Sequence, residues 1–377
     1  MSIYRTHSIL IVALAAMAQS AYGQQPPDVV ASDSSNNTAM GTDALLNLSG
    51  GYDNTGSGAF ALENNTTGYY NTAVGYGTLR ANTTGFQNTA SGVGALNANT
   101  TGSHNTAIGT FALPVNTTGS DNTASGVSAL QFNSTGFYNT ATGYSALYAN
   151  TTGFENTASG LQALHSNTSG SNNAAAGTDA LYSNTTGYYN TASGTSALQN
   201  NTTGSNNLAE GYHAGYNLTT GNNNIDIGSV GVAGESDTIR IGTVATQRAT
   251  YIAGVYGTSV SGSAVMVSST GQLGVTVSSE RFKTAIAPLA ADSTKLQQLR
   301  PVSFRLKTDP HGALQYGLIA EEVAKVYPEL VIRGDKGRID GVRYDELAPL
   351  LLKEAQQQAA EIRDLKQQVA ELKSHQH

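Results

Sequence analysis

Asparagine returns every 17 residues, at positions 37, 54, 71, 88, 105, 122, 139, 156, 173, 190, 207 and 224, through twelve units without one insertion. A strict period this short marks a repeat architecture, in which no unit buries its own apolar face and each must stack on its neighbours. Residues 88–102 (NTASGVGALNANTTG) are a good copy, and the shared pattern is NTAxGxxALxxNTTGxx. At least two Gly in every unit, with an Asn-Thr-Thr-Gly break in most, rule out a helical repeat. The reading is one coil of a parallel β-solenoid per unit.

Within a coil, the Thr and Ala of NTA and the Ala-Leu pair (Ala95 with Leu96, Ala129 with Leu130) are the candidates to point inward. Gly75, Gly92, Gly109 and Gly126, with Gly85, Gly102 and Gly119 of NTTG, are expected at corners of positive φ. Asparagines at one place in successive coils are expected to stack as amide ladders. The pair after NTTG varies from Tyr69-Tyr70 and Phe86-Gln87 to Ser103-His104 and Phe137-Tyr138, as an outer surface does. Such a row suits a carbohydrate or cell-surface ligand, or packing between three neighbouring chains, and the second is favoured because exposed apolar rows are a liability on a monomer. A Thr-rich face for ice would need flat outward Thr pairs, and the repeat does not say which way Thr83 and Thr84 point.

Charge divides the chain. Between residues 37 and 235 the only Lys or Arg is Arg80, whereas most of the others lie from Lys283 onward. A formal charge of −7 without a basic stripe excludes nucleic acid as a partner. Arg5, the apolar run of residues 9–17 and the small residues Ala21 and Gly23 read as a secretory signal over residues 1–23. No later stretch is apolar enough for a transmembrane helix, so a secreted or cell-surface chain with no membrane span after signal removal is expected. It has no cysteine, so disulfides do not hold it together.

A linker (24–36) leads into the solenoid (37–228). A β-rich neck (229–277) follows, with short strands expected at 238–241 (TIRI), 250–255 (TYIAGV), 264–267 (AVMV) and 273–277 (LGVTV), the last two joined by a turn at 268–271. From Ser278 the composition becomes that of a small α+β domain (278–347), and the chain ends in a helix (348–377). Ala348, Ala355, Ile362 and Val369 fall at one heptad position and Leu351, Gln358, Leu365 and Leu372 at the other, which predicts a short coiled coil. The fold class is mainly β, with this α+β domain and coiled-coil helix at its end.

Residues 278–283 (SSERFK) open the only part able to hold an active site, and further blocks follow at 296–299 (LQQL), 301–307 (PVSFRLK), 316–323 (YGLIAEEV), 327–331 (YPELV) and 342–347 (VRYDEL). In this order they resemble the intramolecular chaperone domain of phage tail spikes and endosialidases, in which an S-[DS]-x-R-[LF]-K string sits at a self-cleavage point. The resemblance implies trimer assembly guided by the domain, a scissile bond between Val277 and Ser278, Ser278 as nucleophile and Lys283 as its base. Ser279 stands where that family frequently has Asp, and is a second hydroxyl beside the first. A lysine of ordinary pKa, about 10.4, is protonated and idle, so the cut should wait until folding or trimerisation desolvates the base.

The repeat array, residues 37 to about 228, loosely resembles the heads of trimeric autotransporter adhesins. Its repeat length differs from theirs, and no anchoring barrel is expected after it. The expected function is a secreted homotrimeric fibre or adhesin-like protein that cuts off its own chaperone domain, a single-turnover serine-lysine endopeptidase. The alternative is a non-cleaving, surface-binding solenoid with a C-terminal trimerisation domain. His311 reads as a solvated loop residue, and Glu321 and Glu322 as the first turn of a helix. No cofactor, metal or phosphate motif is present, and the repeats show no hydrolase constellation.

Overall fold

The computed structural model describes residues 31–243, 246–247, 249–252, 265–268, 270–275, 278–289, 293–334 and 337–374. The expected signal (1–23), most of the linker, the end of the strand expected at 250–255 and Val277 lie outside them. The chain divides into two units, one mostly of residues before 262 and one mostly of residues from 272 onward.

The first unit is a parallel β-solenoid. Twelve three-residue strands, β2 (Thr38–Met40) to β13 (Ile225–Ile227), recur every 17 residues in one sheet, and each residue pairs with its counterpart one coil on, as Thr72 with Thr89 and Thr140 with Thr157. At one edge β1 (Ala31–Ser32) turns antiparallel onto β2. At the other the sheet runs past the expected boundary at Gly228. The last coil is shortened, so Ile239 rather than residue 242 pairs with Ile225, and β14 (Ile239–Ile241) closes the sheet.

A coil adds little apolar volume to the core: in most, one Leu, one Ala beside it and one Ala from the strand, as Leu96, Ala95 and Ala90, all fully buried. The strand Thr is not inward as expected. With period 2, Ala takes the core side of a three-residue strand, so Thr72, Thr89 and Thr140 face solvent. Of the NTTG pair, the first Thr donates its hydroxyl to the next coil, Thr83 Oγ1 to the Thr100 carbonyl at 3.0 Å, while Thr84 is exposed.

Two ladders of buried asparagine fill the remaining interior. The opening Asn139 donates through Nδ2 to Asn122 Oδ1 at 3.1 Å and to the Gly153 carbonyl at 2.9 Å, and its Oδ1 accepts the backbone N–H of Asn156. The Asn of NTTG repeats the device, as Asn99 donating to Asn82 Oδ1 and to the Gly102 carbonyl. A neutral amide carries two donor hydrogens and an acceptor oxygen, so each rung satisfies the next without charge.

Four corners per coil require positive φ, and only one is regularly glycine. Gly75, Gly92 and Gly109 meet the expectation, with φ of +126° to +132°. Gly85 and Gly102 do not, because their role is space: a Cβ on Gly85 would come within 2.4 Å of both Asn82 Oδ1 and the Gly102 carbonyl. The other left-handed corners fall on the residue before each opening Asn, such as Tyr70 and Gln87, on a residue such as Phe111 or Ser128, and on the core Leu, such as Leu96 at φ 51°. An L-residue pays to sit there, and coil-to-coil hydrogen bonds hold it.

The second unit is α+β. A hairpin pairs β15 (Val265–Val267) with β16 (Leu273–Val275). Then β17 (Val302–Phe304) pairs with β18 (Gln315–Gly317), and β19 (Val331–Arg333) with β20 (Ile339–Val342), all antiparallel. Helix α1 is Ser293–Leu296, α2 is Ala320–Val326 and α3 runs from Tyr344 to Ser374. Val323, Tyr327, Leu330, Val331, Val342 and Leu347 make its small core.

The repeat breaks at its C-terminal end in a telling way. Asp226 occupies the inward position that Ala holds in most coils, is 1% exposed, and neither carboxylate oxygen finds a hydrogen-bond donor of ordinary geometry. Burial, with the Glu235 carboxylate adding to it, outweighs Ser229 and Arg240 and pushes Asp226 up to about 6, while Glu235 is held low by its bond from Arg240. Because the folded state holds this proton more tightly than the unfolded chain, the contribution of Asp226 to stability is full below about pH 4 and is lost as pH rises through 6. In thermal melts, Asp226→Asn should remove that loss and raise the midpoint at pH 8, less so at pH 5 and with little change at pH 3; unchanged pH dependence would contradict this. In the ladder, Asn139→Ala strands the Asn156 N–H and removes one of the two donors that reach Asn122 Oδ1 and the Gly153 carbonyl, and should cost about 2 kcal/mol or more in urea unfolding. Thr140→Ala, on an outward position, should stay within about 0.5 kcal/mol.

Candidate functional site

Ser278 and Lys283 are five residues apart, a separation that an extended chain would stretch to about 17 Å. A single 3-10 turn over Glu280–Phe282 closes it, with the Phe282 N–H donating to the Ser279 carbonyl at 3.0 Å and the Lys283 N–H to the Glu280 carbonyl at 2.9 Å. The two side chains meet: Lys283 Nζ donates to Ser278 Oγ at 3.3 Å. Ser279 serves the turn through its backbone and makes no side-chain cap. The guanidinium of Arg281 lies 4.6 Å from the centre of the Phe282 ring, which ties both to the outside of the turn.

The pair therefore has the reach for a nucleophile and its base. What it lacks within one chain is cover. Ser278, Lys283 and all the described residues around them, from 278 to 289, are exposed, among them the large apolar side chains of Phe282, Ile286 and Leu289. In this setting the lysine acts as a donor to the hydroxyl. Removing a proton from that hydroxyl needs an environment that favours a neutral amine, which desolvation supplies.

The flanking residues are structural. Glu321 and Glu322 open α2 as expected, and the Arg300 guanidinium, 2.6 Å from Glu322, holds that carboxyl below its usual range. His311 is exposed in the loop between β17 and β18. The Tyr344 hydroxyl accepts the Leu318 N–H at 2.8 Å and pins the start of α3 to the strand end. Beside it an open apolar hollow of about 620 Å³ is lined by Leu296, Leu299, Val302, Tyr316, Leu347 and Leu351.

Residues 278–332 match the family model of the chaperone of endosialidase. The match begins at Ser278 itself and takes in the turn, β17, β18 and α2. No curated protein matches the chain.

Two features of the solenoid escaped the reading of the sequence. One is the row five places after each opening Asn, where Tyr76, Val93, Val127, Tyr144 and Leu161 are exposed and none of its positions from Thr42 to Tyr212 carries a charge. Aligning the coils would have shown it. The other is Asp226, marked in the sequence as the one charged residue at an inward strand position of the repeats.

Proposed function

We propose that this protein is an exported, fibre-type shaft whose C-terminal unit brings three copies together and then severs the bond between Val277 and Ser278. The observation that carries the reading is the Ser278–Lys283 contact at 3.3 Å, made by the turn with which the chaperone match begins. In the step, the Ser278 hydroxyl adds to the Val277 carbonyl and Lys283 takes the hydroxyl proton. The Val277–Ser278 amide breaks to an ester on Ser278 Oγ, and the proton passes to the freed Ser278 amine. Water then hydrolyses the ester to a Val277 carboxylate and restores the hydroxyl, one turnover per chain.

Trimerisation supplies the missing cover. On α3, the heptad side chains Leu351, Ile362, Leu365, Val369 and Leu372 are all exposed on a helix of 31 residues. An apolar seam of this length is stable in water when partner helices cover it. The uncharged row along the solenoid is a second surface suited to a like chain. The exposure of Ser278 and Lys283 in one chain favours, as the competing reading, a trimerising domain that does not cut.

Expression of residues 24–377 separates the two. Wild type should yield two fragments, one beginning at Ser278, whereas Ser278→Ala and Lys283→Ala stay whole and Ser279→Ala is still cut. Ile362→Lys with Leu365→Lys should reduce three chains to one in light scattering and leave the chain uncut. An intact wild-type trimer would retire the peptidase and keep the assembly role.

A further inference from the structure

Fifteen places after each opening Asn the solenoid carries a ladder of aromatic rings. Tyr52, Tyr69 and Phe86 stack face to face at 4.9 Å with interplanar angles of 4° and 7°, and Phe137 stacks on Phe154 at 5.0 Å and 3°. The next rung is missing, because Ser171 stands there, and the ladder resumes at Tyr188. Tyr188 meets Tyr189 edge-on at 5.5 Å and 80°, as Phe137 meets Tyr138 at 5.5 Å and 75°, so it keeps the orientation of a rung. Two coil spacings separate Phe154 from Tyr188, about 10 Å, which leaves a slot one ring thick.

The slot is held open by the serine. Ser171 Oγ accepts the Phe154 N–H at 3.1 Å and donates back to the Ser169 carbonyl at 3.3 Å, so its small side chain is folded onto the backbone and buried. The cleft is about 250 Å³, and between its aromatic walls it is lined by the polar residues Ser169, Asn172 and Thr186, with no charged group. At the other breaks in the ladder the geometry differs: Ser103 and Ser120 leave out two rungs together, and Ser205 is followed by Asn222, so neither gap has two aromatic walls one ring apart.

We infer that this slot binds a β-gluco-configured pyranose residue, taken between Phe154 and Tyr188 as the missing rung. Such a ring has only axial C–H bonds on both faces, which suits an aromatic wall on each side at stacking distance. Its hydroxyls are all equatorial and radiate in the ring plane, where Ser169, Asn172 and Thr186 form a neutral hydrogen-bonding rim. An axial hydroxyl, as in the galacto epimer, would press a polar group against one wall without a partner. The inference rests on the solenoid alone and is independent of assembly or cutting by the C-terminal unit.

Saturation-transfer NMR and calorimetry on the full-length chain with cellotetraose test it, with β-1,4-galactotetraose as the contrast. Wild type should bind cellotetraose in the millimolar range and the galacto oligomer at least about tenfold more weakly. Tyr188→Ala should weaken binding about tenfold by removing one wall. The decisive variant is Ser171→Phe, which supplies the rung that Phe137 and Phe154 supply in their own coils. It should fold, as judged by circular dichroism, and lose cellotetraose binding. No binding by wild type, equal binding of the two oligomers, or undiminished binding by folded Ser171→Phe would each overturn the proposal.

Discussion

A buried amide that shares its hydrogen bonds with a copy of itself one coil away is the constraint from which the shaft follows. Asn139 is satisfied because Asn122 lies below it and Asn156 above, each one coil away in identical register. The register cannot drift without stranding a donor and an acceptor in every coil, and a stranded buried group costs far more than a made bond returns. The strict period of 17 residues, the single core Leu per coil and the left-handed φ at Leu96 are consistent with this anchoring. Where the ladders end, the repeat loosens: Leu218 replaces the Asn that would pair with Asn201, whose Oδ1 is left without a partner, and the following coil is shortened.

The two units solve the burial problem in opposite ways. The solenoid closes its backbone on itself, coil against coil, and can present Tyr70, Tyr138 or Tyr189 to solvent without losing its interior. The C-terminal unit buries only a handful of side chains and leaves Phe282, Ile286, Leu289 and the heptad face of its long helix uncovered. That imbalance is what the proposed assembly role requires of one chain taken alone. It also gives the proposed chemistry its timing, since the covering that stabilises apolar side chains is the same covering that desolvates a lysine.

Much of this was legible in the residues, for physical reasons that differ from element to element. The solenoid and its amide ladders were readable because every residue's neighbour in space is its own equivalent 17 places on. The long helix and the edge-to-edge pairing of β15 and β16 followed from ordinary periodicity and turn chemistry. The facing of Thr72 was misread, because a strand of three residues is too short to display an alternation. The positive φ at Leu96 was invisible, since nothing in a leucine announces a left-handed corner, and the tightness at Gly85 depends on a carbonyl one coil away. At the candidate site the partnership of Ser278 and Lys283 was implied by the resemblance of residues 278–283 and the blocks after them to the chaperone family, while their exposure is a fact of three dimensions.

Assembly before cutting is the central claim, and native mass spectrometry of the wild-type chain during refolding tests it most directly. The account predicts that termini created at Ser278 appear only in three-chain species, after a lag that shortens as chain concentration rises. Cut chains in the single-chain population, or a trimer that persists without any cut, would contradict it.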